Sequence, residues 1–322
     1  MKKGLIFLAG LVSALIILIM YENLIRTDKK DHDTEIKITD SDYEQPMPPD
    51  SCNSQVIKVI HSPESITFAG EEVPLHYFDV RESLERELNQ IAYSHQQTLL
   101  TIRLSGRYFR IIDSILQKNG VPEDFKYLCV AESNLQNLIS PAKAVGFWQF
   151  LSETGKEYNL EINDEIDERY SIEKSTVAAC EYLKESYKKY GSWTLAAASY
   201  NTGRKNIDNV VENQKTSNYH DMMLNSETIR YIYRILAYKI VFDNPELYGF
   251  YVPENDKYKS FKYYEITLNY SIKDLADFAK KYDTNYKMIK LFNPWLRKNI
   301  LTNSKKKSYK IKIPTKDFRN AD

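Results

Sequence analysis

The sequence predicts a mainly α-helical protein, a helical domain followed by a small β-α-α-β module. Three observations carry this. Apolar residues recur at helical spacing from about Val73 to Phe250, with no alternating pattern to compete. Gly120, Pro122 and the turn signal "NTG" mark where such runs stop and start. After Gly249 the pattern changes to two alternating stretches that enclose two short helical ones.

The chain opens with "MKKGLIFLAGLVSALIILIMYENLIR". Two lysines precede an uncharged run from Gly4 to Met20, nearly the length a spanning helix needs. No small-x-small cleavage pattern follows, and no cysteine there could accept a lipid. Residues 1–26 are expected to be a membrane anchor or signal segment, an uncleaved anchor being favoured, with the rest exported. Residues 27–55 are polar and acidic, lack periodicity and hold Pro46, Pro48 and Pro49, so a disordered linker is expected.

In the helical part, "RYFRIIDSILQKN" places Tyr108, Ile111, Ile112, Ile115 and Leu116 on one stripe, and Gly120 stops the helix. Pro122 is expected to open the next helix, with Glu123 and Asp124 favoured in its first turn by the dipole. Its apolar face is Phe125, Leu128 and Cys129, and Glu132 falls on the same arc. A carboxyl group on a buried stripe is costly unless paired or protonated. Desolvation raises its pKa, which suits it to donate a proton near neutrality. The other reading of the position alone is a carboxylate satisfied by backbone N–H groups at a helix end.

A further helix is predicted over Ile172–Tyr190, with Ala179, Leu183, Tyr187 and Tyr190 on a common face. "WTLAAASY" is rich in small residues that permit close helix contact, and it ends at the turn signal "NTG". Glu227–Phe242 reads as a helix with Ile229, Tyr233, Leu236 and Ile240 on its stripe. The terminal module reads as strand "KYYEITL", serine-capped helix "SIKDLADFAKKY", helix "NYKMIKLFN" and strand "SYKIKIP".

Composition narrows the function classes. There are 44 basic and 44 acidic residues, so nucleic acid, which usually selects a basic surplus, is not an expected partner. The 25 tyrosines serve a core, and they also suit stacking on sugar rings. Cys52, Cys129 and Cys180 show no metal spacing, and the five histidines form no cluster, so neither metal nor cofactor is expected. Cys129 and Cys180 read as small buried residues, with a disulfide between them left open.

Four motifs now occur in order. They are "ES" at Glu132–Ser133, "AVGFWQF" with Gly146 and Gln149, "SYNTG" with Tyr200 and Asn201, and "ETIRYI" with Tyr231. Together they resemble the motif set of the lytic transglycosylases whose SLT catalytic domain has a goose-type-lysozyme-like fold. The resemblance covers roughly residues 80–245. It departs at "SPAKAVG", where a Gly-Ala pair is usual, at Leu135, and at Ser199, where Ala is usual. These departures bear on substrate preference more than on the acid.

The resemblance implies a lysozyme-like catalytic domain over residues 56–255 acting on peptidoglycan glycan strands. Glu132 would be the single acid and base, forming a 1,6-anhydromuramoyl end without consuming water. Ser133, Gln149, Tyr200, Asn201 and Tyr231 would hold the substrate, with Tyr231 also hydrogen-bonded to Glu132. Residues 260–315, with "YYEITL", "LADFAKKY", Asn293 and "IKIP", resemble a glycan-binding LysM domain, although "NYS" stands where Gly-Asp-Thr is expected. Two alternatives stay open: a hydrolase whose water-activating acid comes from Asp164, Glu165 or Asp167, and a non-catalytic wall-binding scaffold.

Overall fold

The computed structural model describes residue 57, residues 59–317 and residue 319. The expected anchor over residues 1–26, the linker over residues 27–55 and Cys52 lie outside the described residues. Among the described residues no helix is long and apolar enough to cross a membrane. The architecture is mainly α, as predicted: among the described residues about 53% are helical and the sheets are two-stranded.

A short hairpin comes first, β1 (Thr67–Phe68) and β2 (Glu71–Glu72), paired Thr67 to Glu72 and Phe68 to Glu71. Its turn, Ala69–Gly70, has positive φ at both residues, which matches the twist of a tight hairpin. The Glu71 carboxylate accepts from Ser192 Oγ at 2.9 Å and Thr194 N at 3.0 Å, so the hairpin caps the later helix that starts there.

The helices that follow are α1 (Phe78–Tyr93), α2 (His95–Lys118), α3 (Phe125–Ser133), α4 (Ser152–Glu157), α5 (Ile172–Tyr190), α6 (Trp193–Thr202), α7 (Arg204–Gln214) and α8 (Ser226–Asp243). α8 is the axis of this part. It packs against α1, α3 and α6 and buries residues on every side, among them Thr228, Tyr231, Ile232, Leu236 and Val241. The sequence places Ile229, Tyr233, Leu236 and Ile240 on one stripe, whereas Thr228, Tyr231 and Tyr238 are buried as well because neighbouring helices pack on more than one face. Trp148 closes the core beside α5, its indole N–H donating to Thr176 Oγ1 at 2.8 Å.

Other local readings need correction. The helix begun in the sequence at Arg107 starts twelve residues earlier, at His95. The next helix opens at Phe125 rather than Pro122. Asp124 serves no helix dipole by capping: its carboxylate accepts from Ala69 N at 2.7 Å and pairs with Lys239 at 2.6 Å. Tyr187 leaves the buried face of α5 and stacks on Trp193, with ring centroids 4.1 Å apart. Cys129 and Cys180 are buried and free.

The terminal module is β3 (Tyr263–Leu268), α9 (Leu275–Lys280), α10 (Tyr286–Phe292) and β4 (Tyr309–Pro314). β3 and β4 are antiparallel, with Tyr263 opposite Pro314 and Leu268 opposite Tyr309. Leu275, Phe278, Ile289, Ile311 and Ile313 fill the space between sheet and helices. Asn293, fully buried, donates to the carbonyls of Ile289 and Lys312 and accepts from Lys312 N, tying α10 to β4. The α9 cap is Asp274, not Ser271. Asp274 accepts from Ala276 N and Asp277 N, whereas the Ser271 hydroxyl receives Asn303 N.

This module is docked through backbone. Asp167 N donates to Trp295 O at 2.9 Å, and Arg297 N donates to Glu165 O at 2.7 Å. Val145, Ile166 and Tyr170 join the module's apolar cluster, and the Arg297 guanidinium lies 3.8 Å over the Tyr170 ring.

Candidate active site

Glu132 stands in the last turn of α3. The helix stops there because Asn134 and Leu135 both adopt left-handed backbone, and the Asn134 side chain accepts from Tyr238 OH at 2.7 Å. The backbone dipole at a helix C-terminus disfavours negative charge. No free N–H groups are available at that end, so the reading of a carboxylate satisfied by a helix terminus does not hold. Instead, the Tyr231 hydroxyl of α8 donates to Glu132 Oε1.

Two opposed effects set the acidity of Glu132. Burial raises its pKa and is the largest. The Tyr231 hydrogen bond and the positive charge of Arg234 lower it, and nearby Glu227 raises it. The balance lies at about 7. Burial also pushes the Tyr231 hydroxyl well above its ordinary value, so Tyr231 remains a donor.

Glu132 lines a cleft of about 400 Å³. Gln149, Tyr200, Asn201 and Tyr231 line the same cleft. Gln149 sits on a loop with left-handed backbone, and its amide nitrogen donates to the carbonyls of Gly146 at 2.8 Å and Leu138 at 3.2 Å. Its amide oxygen therefore remains to accept from a ligand. The Thr228 hydroxyl donates to Asn201 Oδ1 at 2.9 Å, which fixes that amide with its nitrogen left as a donor. Tyr200 is half-buried, donates to Trp148 O at 2.8 Å and packs edge-on against Tyr182.

Gly146 makes the loop possible. Its φ is +86°, and a Cβ there would lie 2.1 Å from the carbonyl oxygen of Arg169. No residue with a side chain fits that approach.

Ser133 is a correction. Its side chain is buried and does not line the cleft; the hydroxyl meets the carbonyls of Phe147 at 2.8 Å and Cys129 at 3.2 Å. It braces the loop that carries Gln149 and is not free to bind a ligand. The reason is helical geometry: Ser133 is one residue, about 100°, around α3 from Glu132.

Asp164, Glu165 and Asp167 do not line the cleft either. Asp164 pairs with Lys298 at 3.2 Å, Glu165 accepts from Thr302, and Asp167 pairs with Arg169 at 2.7 Å. The second carboxylate at the cleft is Glu227. Sequence reasoning missed Glu227, and with it Arg234. Spacing held the signal, since residues 227, 231 and 234 are i, i+4 and i+7 and share one helix face. Glu87, behind Arg234 on α1, carried no local signal.

A larger space of about 1110 Å³ separates α2 from the terminal module, and none of the expected site residues lines it. Three of its lysines are ion-paired within the protein: Lys312 with Glu173, Lys310 with Glu265, and Lys174 with Glu168. Its two acids, Glu173 and Glu265, are each ion-paired with a lysine, whereas Glu132 is held by a neutral tyrosine hydroxyl, so the cleft at Glu132 is the candidate active site.

Comparison with known proteins finds two family matches. Residues 110–223 match the family described as the transglycosylase SLT domain, and residues 264–317 match the soluble lytic transglycosylase C-terminal LysM-like domain. Two curated relatives carry the name membrane-bound lytic murein transglycosylase D, from Escherichia coli strain K12 and from E. coli O6:H1 strain CFT073. Each is 25% identical over 221 residues, 66% of this chain and 48% of the relative. The chain thus spans about half the length of the curated relatives it matches.

Proposed function

We propose that this chain, which carries a transglycosylase SLT domain and a C-terminal LysM-like domain, is a lytic transglycosylase of the cell envelope that cleaves peptidoglycan glycan strands. The observation that carries the reading is one carboxylic acid, Glu132, whose pKa burial raises to about 7, hydrogen-bonded by a tyrosine in a cleft that Gln149 and Asn201 also line.

In this reading protonated Glu132 donates its proton to the oxygen joining N-acetylmuramic acid to N-acetylglucosamine. The C–O bond at the muramic anomeric carbon breaks, and the leaving sugar keeps the proton as a hydroxyl. Ionised Glu132, still receiving the Tyr231 hydrogen bond, then takes the proton of the muramic 6-hydroxyl. That oxygen closes on the anomeric carbon and gives the 1,6-anhydro end. Glu132 regains its proton and no water is consumed. Gln149 and Asn201 orient sugar hydroxyl and amide groups, and Tyr200 supplies an aromatic wall.

The catalytic part extends over residues 56–255 and the glycan-binding part over residues 260–315. Residues 1–26 hold the enzyme at the membrane through a linker over residues 27–55. The name of the curated relatives, membrane-bound, supports that location.

A hydrolase is the second reading, because Glu227 brings another carboxylate to the cleft. Its ion pair with Arg234 at 2.9 Å weighs against a role in activating water. Mass spectrometry of sacculi digested with wild type and Glu132→Gln decides. An anhydro end, one water lighter than a reducing end, is expected from wild type, and no release from the variant. Reducing ends would establish the hydrolase, and normal turnover by Glu132→Gln would remove Glu132 from the chemistry. Binding of sacculi without cleavage by wild type would leave the scaffold.

A further inference from the structure

Glu87 is 1% exposed, yet it is a carboxylate at the packing interface of α1 with α8. Three guanidinium groups surround it: Arg230 Nε at 2.5 Å, Arg234 Nε at 3.4 Å and Arg86 Nε at 3.6 Å. Burying a carboxylate costs free energy that an apolar side chain there would avoid. What an apolar residue cannot do is hold a guanidinium at the edge of the cleft. Arg234 is that guanidinium, and it lines the cleft with Glu132. Its Nη1 donates to Glu227 at 2.9 Å while its Nε faces Glu87. It forms no ion pair with Glu132.

The placement has a chemical logic. An arginine paired directly with Glu132 would strip its proton and leave no acid. With no cation nearby, ionised Glu132 would lack compensation halfway through the reaction. We propose that Arg234 is a positioning residue for the proton transfer, anchored by Glu87 and Glu227 so that its charge acts on Glu132 without contact. This deepens the reading of Glu132 as the acid and base, and rests on it.

The groups facing Glu132 are Tyr231, Glu227 and Arg234 from α8, Tyr200 from α6 and Cys129 from its own helix. Those facing Arg234 are Glu227 and Tyr238 on α8 and Glu87 on α1, with Arg230 and Arg86 sharing Glu87.

The test is the pH dependence of kcat/KM for sacculus digestion, paired with ¹³C-carboxyl NMR titration of Glu132 in the folded protein. Arg234→Gln is expected to move the alkaline limb and the Glu132 titration upward, by on the order of half a pH unit. Arg234→Lys keeps the charge and should hold both near the wild-type position. Glu87→Gln and Glu227→Gln each leave Arg234 less compensated and should move both downward. Glu227 is at the surface, so that variant serves if Glu87→Gln fails to fold. A well-folded Arg234→Gln with an unmoved titration overturns the proposal. So does a downward arm that moves upward instead. If the wild type releases no product, the functional reading fails, while the NMR titration still reads the effect of Arg234 on Glu132.

Discussion

Tyr231 and Glu132, 99 residues apart in sequence, are joined by one hydrogen bond from hydroxyl to carboxylate across the packing of α8 against α3. The bond favours the ionised carboxylate, while burial favours the protonated one. The acid is balanced between the two forms because two helices deliver opposing influences to one oxygen.

Tyr231→Phe removes the donor and leaves the ring. Hydrogen bonds to charged groups contribute about 1.5–3 kcal/mol, so kcat should fall roughly 10- to 100-fold. The alkaline limb of kcat/KM should move above its wild-type position near pH 7, because the ionised form has lost its support. Initial rates of muropeptide release across pH check both.

Glu132 also makes stability depend on pH. Its folded pKa of about 7 exceeds its ordinary value of 4.5, so the folded state binds more protons in that window. Stability is therefore lost as pH rises from about 4.5 to 7, by at most about 3 kcal/mol, and is level above. Glu132→Gln stays neutral throughout. Its melting temperature should exceed that of wild type at pH 8, and the gap should close towards pH 4.5. Thermal melts of both proteins at several pH values give the comparison.

Gly146→Ala should damage the fold as well as the cleft. The new methyl group would collide with the Arg169 carbonyl, and the positive φ adds backbone strain. A loss above about 3 kcal/mol is expected. Gly191→Ala is the control: its φ is +68°, but nothing lies within 4 Å of the added carbon. That change should cost about 1–2 kcal/mol. Chemical denaturation of the two variants separates collision from strain.

Asn293→Ala removes one buried hydrogen bond within α10 and the two partly buried ones that join it to β4, and strands the Lys312 backbone groups. A cost of about 2–4 kcal/mol is expected, confined to the terminal module. Amide hydrogen exchange should show protection lost over residues 263–314 and kept in α8.

Much of the fold was legible because helical periodicity is local. The helix over Ile172–Tyr190 was placed with its observed bounds from its apolar face, and in the structure Ser171 caps its start and Gly191 its end. β3 and β4 followed from alternation. Of the site, Glu132 stood out because a carboxyl on an apolar arc is a local anomaly. Gln149, Tyr200, Asn201 and Tyr231 needed the resemblance, since no rule of spacing brings four distant segments together. Ser133 misled because adjacency in sequence to Glu132 is not adjacency around a helix. Glu87 was invisible, because a glutamate in a helix rich in charged residues looks solvated until a partner helix covers it. In the Asp164–Asp167 loop the carboxylates of Asp164 and Glu165 go to the terminal module, whose position no sequence pattern specifies, and that of Asp167 goes to Arg169.

Glu227, Tyr231 and Arg234 ride on one rigid rod, and the far side of that rod is buried in α1. One residue inserted within α8 would swing the groups beyond it by about 100° and take them away from Glu132 together. The same residue added to the connecting segment at 215–218 would be absorbed at the surface. The alignment of the chemistry is thus a matter of helical phase, stored in the count of residues along about two turns.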